Sequence, residues 1–316
     1  MMKPIISLST SYNQHKFMTD GYALLCDAAE MGYEYAELGH STPVTCVEGI
    51  AKAVAEGVIK ISSTHNFCPL PAYRSGAAPN LFSPSSGSKA ESELWLRHTK
   101  NSLIFAKEFG AKALVCHSGS LSYFFMRPDC KISKFVKDKK REDLAENPKY
   151  KKIAEAFMKS SAERALKRDY PRLKQNILAI SETAEECGVI IGIENREGIS
   201  ELPLDWNFDA AMAQLSDIPQ ARAWHDVGHS MRKQLLGLGG QLDLVRRTEN
   251  LIAGWHLHDC TAEGKDHVGI GKGCIDFGAL SKFFKPEQHI FTLELNRAVP
   301  REDAVESLKR VRDMMP

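Results

Sequence analysis

The sequence has no excess of charge of either sign. Lys and Arg number 41 and Asp and Glu number 40 in 316 residues, which gives a formal net charge of +1 with the histidines neutral. A chain with this balance lacks the global positive field that drives non-specific binding to nucleic acid. Nucleic acid is therefore not expected as the main partner, although a local basic patch is compatible with these totals.

Paired cysteines and long apolar runs are also missing. The eight cysteines include no CxxC pair and lie mostly inside apolar segments, where free thiols behave as small core residues. No apolar run approaches the roughly 20 residues needed to span a bilayer, and the apolar part of MMKPIISLST is too short for a secretion signal. These absences predict a cytoplasmic protein with reduced thiols and no membrane partner.

Short apolar or β-branched segments alternate with longer segments of helical periodicity. This alternation predicts parallel strands, and about eight strand–helix units in about 300 residues favour a closed (β/α)8 barrel, a TIM barrel, over a doubly wound sheet. The chain shows neither an internal repeat nor a dividing linker, so a single domain of residues 1–316 is expected. The strand candidates are IISLS (5–9), YEYAEL (33–38), KISSTH (60–65), ALVCHS (113–118), VIIGIEN (189–195), ARAWHDV (221–227), IAGWHLHD (252–259) and IFTLELN (290–296).

Two connections are longer than a barrel needs, and both follow a predicted strand on the side where barrel enzymes build their sites. Residues 66–89, after the third strand, are rich in Pro, Ser and Gly and predict a long irregular loop. Residues 121–152, after the fourth strand, predict a helical and basic insertion. Its basic side chains, from Lys131 to Lys152, either draw an anionic substrate or form a solvated helical face.

Polar residues gather where the predicted strands end. In a parallel barrel these ends share one rim, so residues far apart in sequence converge on one pocket. A carboxylate that follows an apolar run, as Glu194 and Glu294 do, is costly to bury unless it is paired or bound to a cation. The residues concerned are Glu37, His65, His117, Glu194, Asp226, His229, the stretch from His256 to Asp259, and Glu294.

The mixture of carboxylates and imidazoles indicates the kind of cation. Borderline divalent ions such as Zn²⁺ and Mn²⁺ select such donors, whereas Ca²⁺ and Mg²⁺ sites are richer in oxygen. A single buried histidine is more often a hydrogen-bonded interior residue than a ligand, but recurrence at successive strand ends favours a metal site. His15, His98 and His289 lack this placement and are expected to be ordinary structural histidines.

The order and spacing of these residues resemble the xylose isomerase-like TIM barrels, a family that holds sugar isomerases and epimerases, inosose dehydratase-like enzymes and the endonuclease IV type of apurinic-site nuclease. The resemblance covers nearly the whole chain and implies a single catalytic metal bound by Glu194, Asp226, His256 and Glu294, with His258 as the rival for the strand-seven position. The motifs that carry it are IGIEN ending at Glu194 and Asn195, HDVGH with Asp226 and His229, HLHD from His256, HVGIGKGCIDF from His267, and LEL around Glu294.

The nuclease branch of that family binds three zinc ions. Resemblance to this branch implies a second metal at His65 and His117 and further ligands at His229 and His267. Where the branch has an Asp two residues before its last His, this sequence has Lys265, which argues against a third metal. The expected cofactor is a divalent metal, Mn, Zn or Co, with one ion favoured and two or three left open.

The function implied by the resemblance is metal-dependent isomerisation or epimerisation of a sugar, sugar phosphate or cyclitol through an enediolate. Glu194 and Glu294 would transfer protons as general base and acid, and His229 would hydrogen-bond a substrate oxygen. A small carbohydrate is the expected partner. The residues expected to contact it are Arg196, His258, Asp259 and Lys272.

Two other functions remain open at this point. A multi-zinc phosphodiester hydrolase is favoured by His65 and His117 and disfavoured by the near-neutral charge and by Lys265. A barrel without turnover that serves as a binding protein is disfavoured by the retained pair Glu194 and Glu294. The sequence also leaves open whether the chain forms a homo-oligomer.

Overall fold

The computed structural model describes residues 3–71, 74, 78–123, 128–137 and 141–315. Parallel strands close into an eight-stranded barrel, in which each strand pairs with its neighbours along the chain and β8 pairs with β1. The predicted (β/α)8 barrel is therefore confirmed. The strands are β1 Ile5–Ser9, β2 Tyr35–Leu38, β3 Lys60–His65, β4 Ala113–Cys116, β5 Ile190–Glu194, β6 Ala221–Asp226, β7 Ile252–Leu257 and β8 Ile290–Leu293.

Helices connect the strands and surround the barrel. In the described ranges, none of them is long and apolar enough to cross a bilayer. A π-helical turn, Ala165–Asp169, joins α6 to α7. The helices are α1 Gly21–Glu30, α2 Val47–Ala55, α3 Lys89–Glu108, α4 Asp129–Val136, α5 Arg141–Glu146, α6 Pro148–Arg164, α7 Tyr170–Cys187, α8 Phe208–Gln214, α9 Val227–Leu235, α10 Gln241–Thr248, α11 Phe277–Leu280 and α12 Arg301–Asp313.

The connection after β3 is irregular in its described residues, as its composition predicts. Leu70 forms an isolated bridge with Pro43, and no helix begins among these residues before α3. The Ser88 hydroxyl accepts a hydrogen bond from the Glu91 amide at 3.4 Å and so caps the first turn of α3. The cap fixes the place where the loop ends and the helix begins.

The connection after β4 carries α4, α5 and α6, which form a small core of their own. Ile132, Tyr150 and Phe157 are buried there and pack with Leu238, which follows α9. The Asn147 side chain accepts from the amides of residues 149 and 150 at 3.1 Å, which starts α6. The lysines of this insertion that the structure describes, Lys131, Lys134, Lys137, Lys149, Lys151 and Lys152, lie on the solvent side of the helices.

The interior of the barrel is filled by side chains below the rim. Trp224 of β6 packs there with Ala113, Val115 and Ile290. Two neighbouring strands make room for its ring, because a Cβ added at Gly254 would overlap the indole and one at Gly192 would lie 3.0 Å from it. The ring meets His256 edge-on, with centroids 5.5 Å apart. Trp224 therefore fills the barrel interior directly beneath His256 and the polar rim.

Candidate metal centre

The C-terminal ends of the strands bring the predicted polar residues to one rim. Glu194 is the last residue of β5, and Asp226 is the last residue of β6 and lies opposite His256 in the register of β7. Glu294 follows β8, and its amide donates to the Leu257 carbonyl at 3.2 Å. Parallel pairing therefore gathers side chains from four successive repeats.

The central group consists of Glu194, Asp226, His256 and Glu294. One ligand atom from each lies within 4.8 Å of the others. His256 Nδ1 is 2.9 Å from Glu194 Oε1, 3.1 Å from Glu294 Oε2 and 3.8 Å from Asp226 Oδ2. All four residues are buried. The structure thus brings together the four residues that the sequence proposed as ligands, and it places His256 in the group in preference to His258.

The ring of His256 is oriented from behind by Glu37 of β2. Glu37 Oε2 lies 3.2 Å from His256 Nε2 and accepts a hydrogen bond of 2.8 Å from the Ser63 hydroxyl. A carboxylate accepts hydrogen bonds, so Nε2 carries the proton and Nδ1 faces the three other carboxylates. Carboxylates that hold the outer nitrogen of a metal-binding histidine fix its tautomer and raise its basicity.

The central group concentrates negative charge in a buried space. Burial and the neighbouring Glu194 carboxylate raise the pKa of Asp226 to about 7. Burial alone would lower the pKa of His256, but the Glu294 and Glu37 carboxylates raise this pKa well above its usual value. A raised pKa favours a second proton on the ring, at Nδ1 among the carboxylates. A divalent cation would replace that proton and relieve the repulsion among the carboxylates.

A second group lies on the other side of Glu194. His117 Nε2 and His65 Nε2 face Glu194 Oε2 at 3.2 and 3.5 Å. The outer nitrogens donate elsewhere: His117 Nδ1 to Asn80 Oδ1 at 2.7 Å, and His65 Nδ1 to the carbonyl of residue 66 at 3.2 Å. Both rings therefore present Nε2 to the site. The structure brings these two histidines together, as the sequence predicts.

Arg196 is not a solvated loop residue. Its side chain is only 9% exposed, and Nη1 donates to Glu194 Oε2 at 3.0 Å. Although burial opposes ionisation, the guanidinium and the hydrogen bond from His256 hold the pKa of Glu194 well below its usual range. The guanidinium thus shares one carboxylate oxygen with the second group.

A third group holds His229, His258 and His267. His229 Nδ1 donates to the Asn195 carbonyl at 3.1 Å, and His267 Nδ1 donates to the Glu294 carbonyl at 2.7 Å. His258 differs, because its Nδ1 accepts the amide hydrogen of residue 267 at 2.8 Å. Its Nε2 must then carry the proton that it donates to Asp226 Oδ2 at 3.0 Å. His258 therefore supports a ligand of the central group, and only His229 and His267 offer free lone pairs.

Two predicted substrate contacts are engaged elsewhere. Asp259 is buried, and its carboxylate accepts hydrogen bonds of 2.8 to 3.1 Å from the backbone amides of residues 260, 271, 273 and 275. The side chain therefore organises the turn that follows β7. Lys272 is 54% exposed and pairs with Asp303 of α12 at 3.0 Å. Neither side chain is among those gathered around Glu194.

Three residues at the rim were given no role from the sequence. Glu37 was noted as a strand end, but its contact with His256 depends on side-chain directions that a strand pattern does not give. His40 lies in the turn after β2, with its ring 4.9 Å from that of His65, and burial together with His65 and His117 holds its pKa well below the usual value. Asn80 stands in an irregular loop without periodicity, so only the structure reveals its bond to His117.

The donors of the central group suit a divalent cation of borderline softness. Three carboxylates and one imidazole converge, and the outer nitrogen of the imidazole is already held by a carboxylate. Mn²⁺, Co²⁺ and Zn²⁺ accept such mixed oxygen and nitrogen ligands. On the residues present, Glu194, Asp226, His256 and Glu294 would hold the ion, and Glu37 and His258 would orient two of these four ligands.

Comparisons with known proteins give the same fold. A family model described as a xylose isomerase-like TIM barrel matches residues 25–314. A D-tagatose 3-epimerase-like protein superposes with a TM-score of 0.66 at 16% identity, over 99% of this chain and 97% of that one. The 3-keto-D-glucoside 4-epimerase of E. coli gives 0.68 at 15%, over 98% and 100%. At such identities the likeness shows a shared fold.

Two further comparisons differ in the share of the chain that they cover. The D-psicose 3-epimerase of Clostridium cellulolyticum, solved with D-tagatose, gives a TM-score of 0.66 at 10% identity and covers 99% of both chains. An uncharacterized protein of Methanocaldococcus jannaschii is 26% identical over 151 residues, which are 46% of this chain and 57% of that protein. This chain therefore spans just over half the length of that curated relative.

Proposed function

Because the chain belongs to the xylose isomerase-like TIM barrel family, we propose that it is a divalent-metal-dependent isomerase or epimerase of a sugar, sugar phosphate or cyclitol. The observation that carries the proposal is the central group, in which Glu194, Asp226, His256 and Glu294 converge at the ends of four successive strands. The names of the neighbouring structures, which are ketose and keto-glucoside epimerases, support the same substrate class.

Two carboxylates of the central group would transfer protons. Glu194 Oε1 and Glu294 Oε2 both lie close to His256 Nδ1, at 2.9 and 3.1 Å. One carboxylate would take the proton from the carbon next to the substrate carbonyl, and the other would return a proton to the opposite face or to the neighbouring carbon. A bound divalent cation supplies electrostatic stabilisation of the negative charge that develops on the substrate oxygens.

The surrounding side chains would position the substrate. His229 donates from Nδ1 to a backbone carbonyl, so its Nε2 is free to accept a hydrogen bond from a substrate hydroxyl. His117 Nε2 is buried and has no aligned hydrogen-bond partner among the described residues, so it would accept a second hydroxyl. The depth of the group would exclude water, which strengthens each of these interactions.

Exchange of a carbon-bound hydrogen with solvent tests the proposal. Protein loaded separately with Mn²⁺, Co²⁺ or Zn²⁺ would be incubated in D2O with a panel of ketoses and keto-inositols, and mass spectrometry would follow deuterium uptake and new isomers. At least one substrate should gain deuterium at the carbon next to the carbonyl. Glu294→Gln should slow that exchange by about 10²-fold or more, because the amide cannot carry the proton.

Glu306→Gln is the matched control, since Glu306 is an exposed carboxylate of α12 paired with Arg310. This variant should exchange at the wild-type rate. Exchange that survives in Glu294→Gln, with metal content and thermal stability unchanged, would remove Glu294 from the proton-transfer step.

A second candidate function is metal-assisted hydrolysis of a phosphodiester. The observation in its favour is the pair His65 and His117, whose Nε2 atoms both face Glu194 Oε2. Such an arrangement would suit a second metal ion that shares Glu194 with the first. The third group weakens this candidate, because the lone pair of His258 Nδ1 is already used by an amide. Nicking of abasic DNA without deuterium exchange of any ketose would favour hydrolysis.

A further inference from the structure

The feature that separates the two candidates is the position of Arg196. Its Nη1 lies 3.0 Å from Glu194 Oε2, the same oxygen that His117 Nε2 and His65 Nε2 face at 3.2 and 3.5 Å. The guanidinium therefore occupies Glu194 Oε2, the carboxylate oxygen that the second group would otherwise offer to a metal ion. An arginine is always charged in proteins, so this position carries a permanent positive charge.

A second carboxylate, that of Glu201, lies at ion-pair distance from the far side of the guanidinium without a hydrogen bond to it. Arg196 Nε lies 3.8 Å from Glu201 Oε1, and Glu201 Oε2 accepts the Gly198 amide at 2.7 Å. A Cβ at residue 198 would lie 2.7 Å from that carboxylate oxygen, so Glu201 packs directly against the backbone of Gly198. Asn80 Nδ2 donates to Glu201 Oε1 at 3.3 Å. Glu201 thus ties Arg196 to the loop after β3.

The same asparagine closes the network. Asn80 accepts from His117 Nδ1 at 2.7 Å, and His117 faces Glu194. A closed circuit therefore runs through Glu194, Arg196, Glu201, Asn80 and His117. A metal ion that entered between His65 and His117 would have to displace a buried arginine that donates a hydrogen bond to Glu194 and pairs with Glu201.

The two oxygens of Glu194 face opposite environments. Oε1 lies among Asp226, Glu294 and His256, which together attract a divalent cation. Oε2 faces two imidazoles and a fixed guanidinium, with no second carboxylate among the ligand atoms of that group. Like charges in a buried, poorly screened space repel strongly. A cation is stabilised on the first side of Glu194 and opposed on the second.

From this asymmetry we infer that the Arg196 guanidinium takes the electrostatic place of a second cation and excludes a metal ion from His65 and His117. The inference rests on the metal dependence in the proposed function and deepens it. His65 and His117 then serve as hydrogen-bond partners of the substrate, and Arg196 is a positioning residue that selects proton transfer over two-metal hydrolysis.

Metal counting tests the inference without any substrate. Wild type, Arg196→Met, Arg196→Lys, His117→Ala and the double variant Arg196→Met/His117→Ala would be dialysed against Zn²⁺, freed of excess ion and measured by inductively coupled plasma mass spectrometry. Methionine keeps the length of the side chain without its charge, whereas lysine keeps the charge. Circular dichroism and thermal unfolding would show that each variant is folded.

The expected pattern is specific to the second group. Arg196→Met should hold about one more ion per chain than wild type, because removal of the positive charge opens the site to a metal ion. Arg196→Lys keeps the charge and should hold no additional ion. The double variant should return to the wild-type count, since the added ion needs His117. His117→Ala alone should leave the count unchanged.

Two results would overturn the inference. One is an unchanged metal count in folded Arg196→Met, and the other is a lost ion in His117→Ala alone. If Arg196→Met does not fold, the metal count of His117→Ala still shows whether an ion is bound at His117 in the presence of Arg196. Metal counting needs no turnover, so the two tests fail independently. Failure of deuterium exchange would overturn the proposed reaction but not the role of Arg196, and an unexpected metal count would overturn the role of Arg196 but not the proposed reaction.

Discussion

At the scale of single residues, the neighbours of each buried histidine decide what its ring can do. His256 has carboxylates at both nitrogens and lies in the central group. His289 is the opposite case, because its Nδ1 accepts from the indole nitrogen of Trp255 at 2.9 Å and from the amide of residue 285 at 3.2 Å. His289 must therefore be neutral in the folded protein, as expected of a structural histidine.

The neutral state of His289 predicts a pH dependence of stability. Burial and the Lys285 charge lower the pKa of His289 from 6.5 to about 4. Between these values the unfolded chain binds a proton that the folded chain does not, so the contribution of His289 is complete above pH 6.5 and is lost as the pH falls toward 4. The full loss amounts to about 3 kcal/mol in the free energy of unfolding.

Urea unfolding at several pH values between 7.5 and 4.5 would measure this contribution. His289→Asn keeps an acceptor near the position of Nδ1 but does not titrate, so its stability should fall less steeply with acid than that of wild type. The exposed residue His15 supplies the control, and His15→Asn should follow the wild-type curve. Parallel curves for wild type and His289→Asn would contradict this assignment.

Single residues also show how far the sequence could lead. Glu194, Asp226 and Glu294 stand out because each ends an apolar run, and a carboxylate there needs a partner. Arg196 was expected to be free for substrate, yet the structure buries it against Glu194. The difference arises because exposure depends on which loops cover a residue, and the loop that carries Asn80 has no periodic pattern to locate it.

At the scale of elements, most strand predictions are close at their starts and too long at their ends, whereas β2 begins two residues after its predicted start and ends where predicted. β1 and β3 have the predicted bounds, whereas β4 ends at Cys116 and β8 at Leu293, two and three residues before the predicted ends. The apolar and β-branched residues end with the strand, but the polar residues that follow them look like a continuation in sequence. In the structure these residues lie just beyond the strands, although the Glu294 amide still donates to the Leu257 carbonyl of the neighbouring strand.

The contact between β6 and β7 below the rim predicts that one added methyl group lowers the stability of the protein. Gly254 of β7 lies against the indole of Trp224 of β6, and an added Cβ would overlap the ring. Gly254→Ala should therefore lower the free energy of unfolding by about 1–3 kcal/mol through overpacking. Thermal and denaturant unfolding would measure the loss.

Trp224→Phe supplies the matching background, since the smaller ring leaves space for the methyl group. Gly254→Ala should cost less in Trp224→Phe than in wild type, which is the sign of direct coupling between the two positions. If the two substitutions changed the free energy of unfolding additively, the added methyl group would not be in direct conflict with the Trp224 ring.

At the scale of the whole molecule, the barrel separates stability from chemistry. Trp224 and the apolar side chains around it fill the interior below the rim, and the carboxylates and histidines occupy the rim. The closed barrel could be predicted from eight alternating repeats because each repeat buries one strand and one helix face. The arrangement of α4, α5 and α6 could not, because their core includes Leu238 from a distant part of the chain.

We expect one carboxylate-rich group, and not the pair of histidines beside it, to hold the metal. Crystals grown with Zn²⁺ and measured on both sides of its absorption edge would locate the ion by anomalous scattering. We expect the strongest peak among Glu194, Asp226, His256 and Glu294 and none between His65 and His117. A peak between those two histidines, or none among the carboxylates, would contradict this expectation.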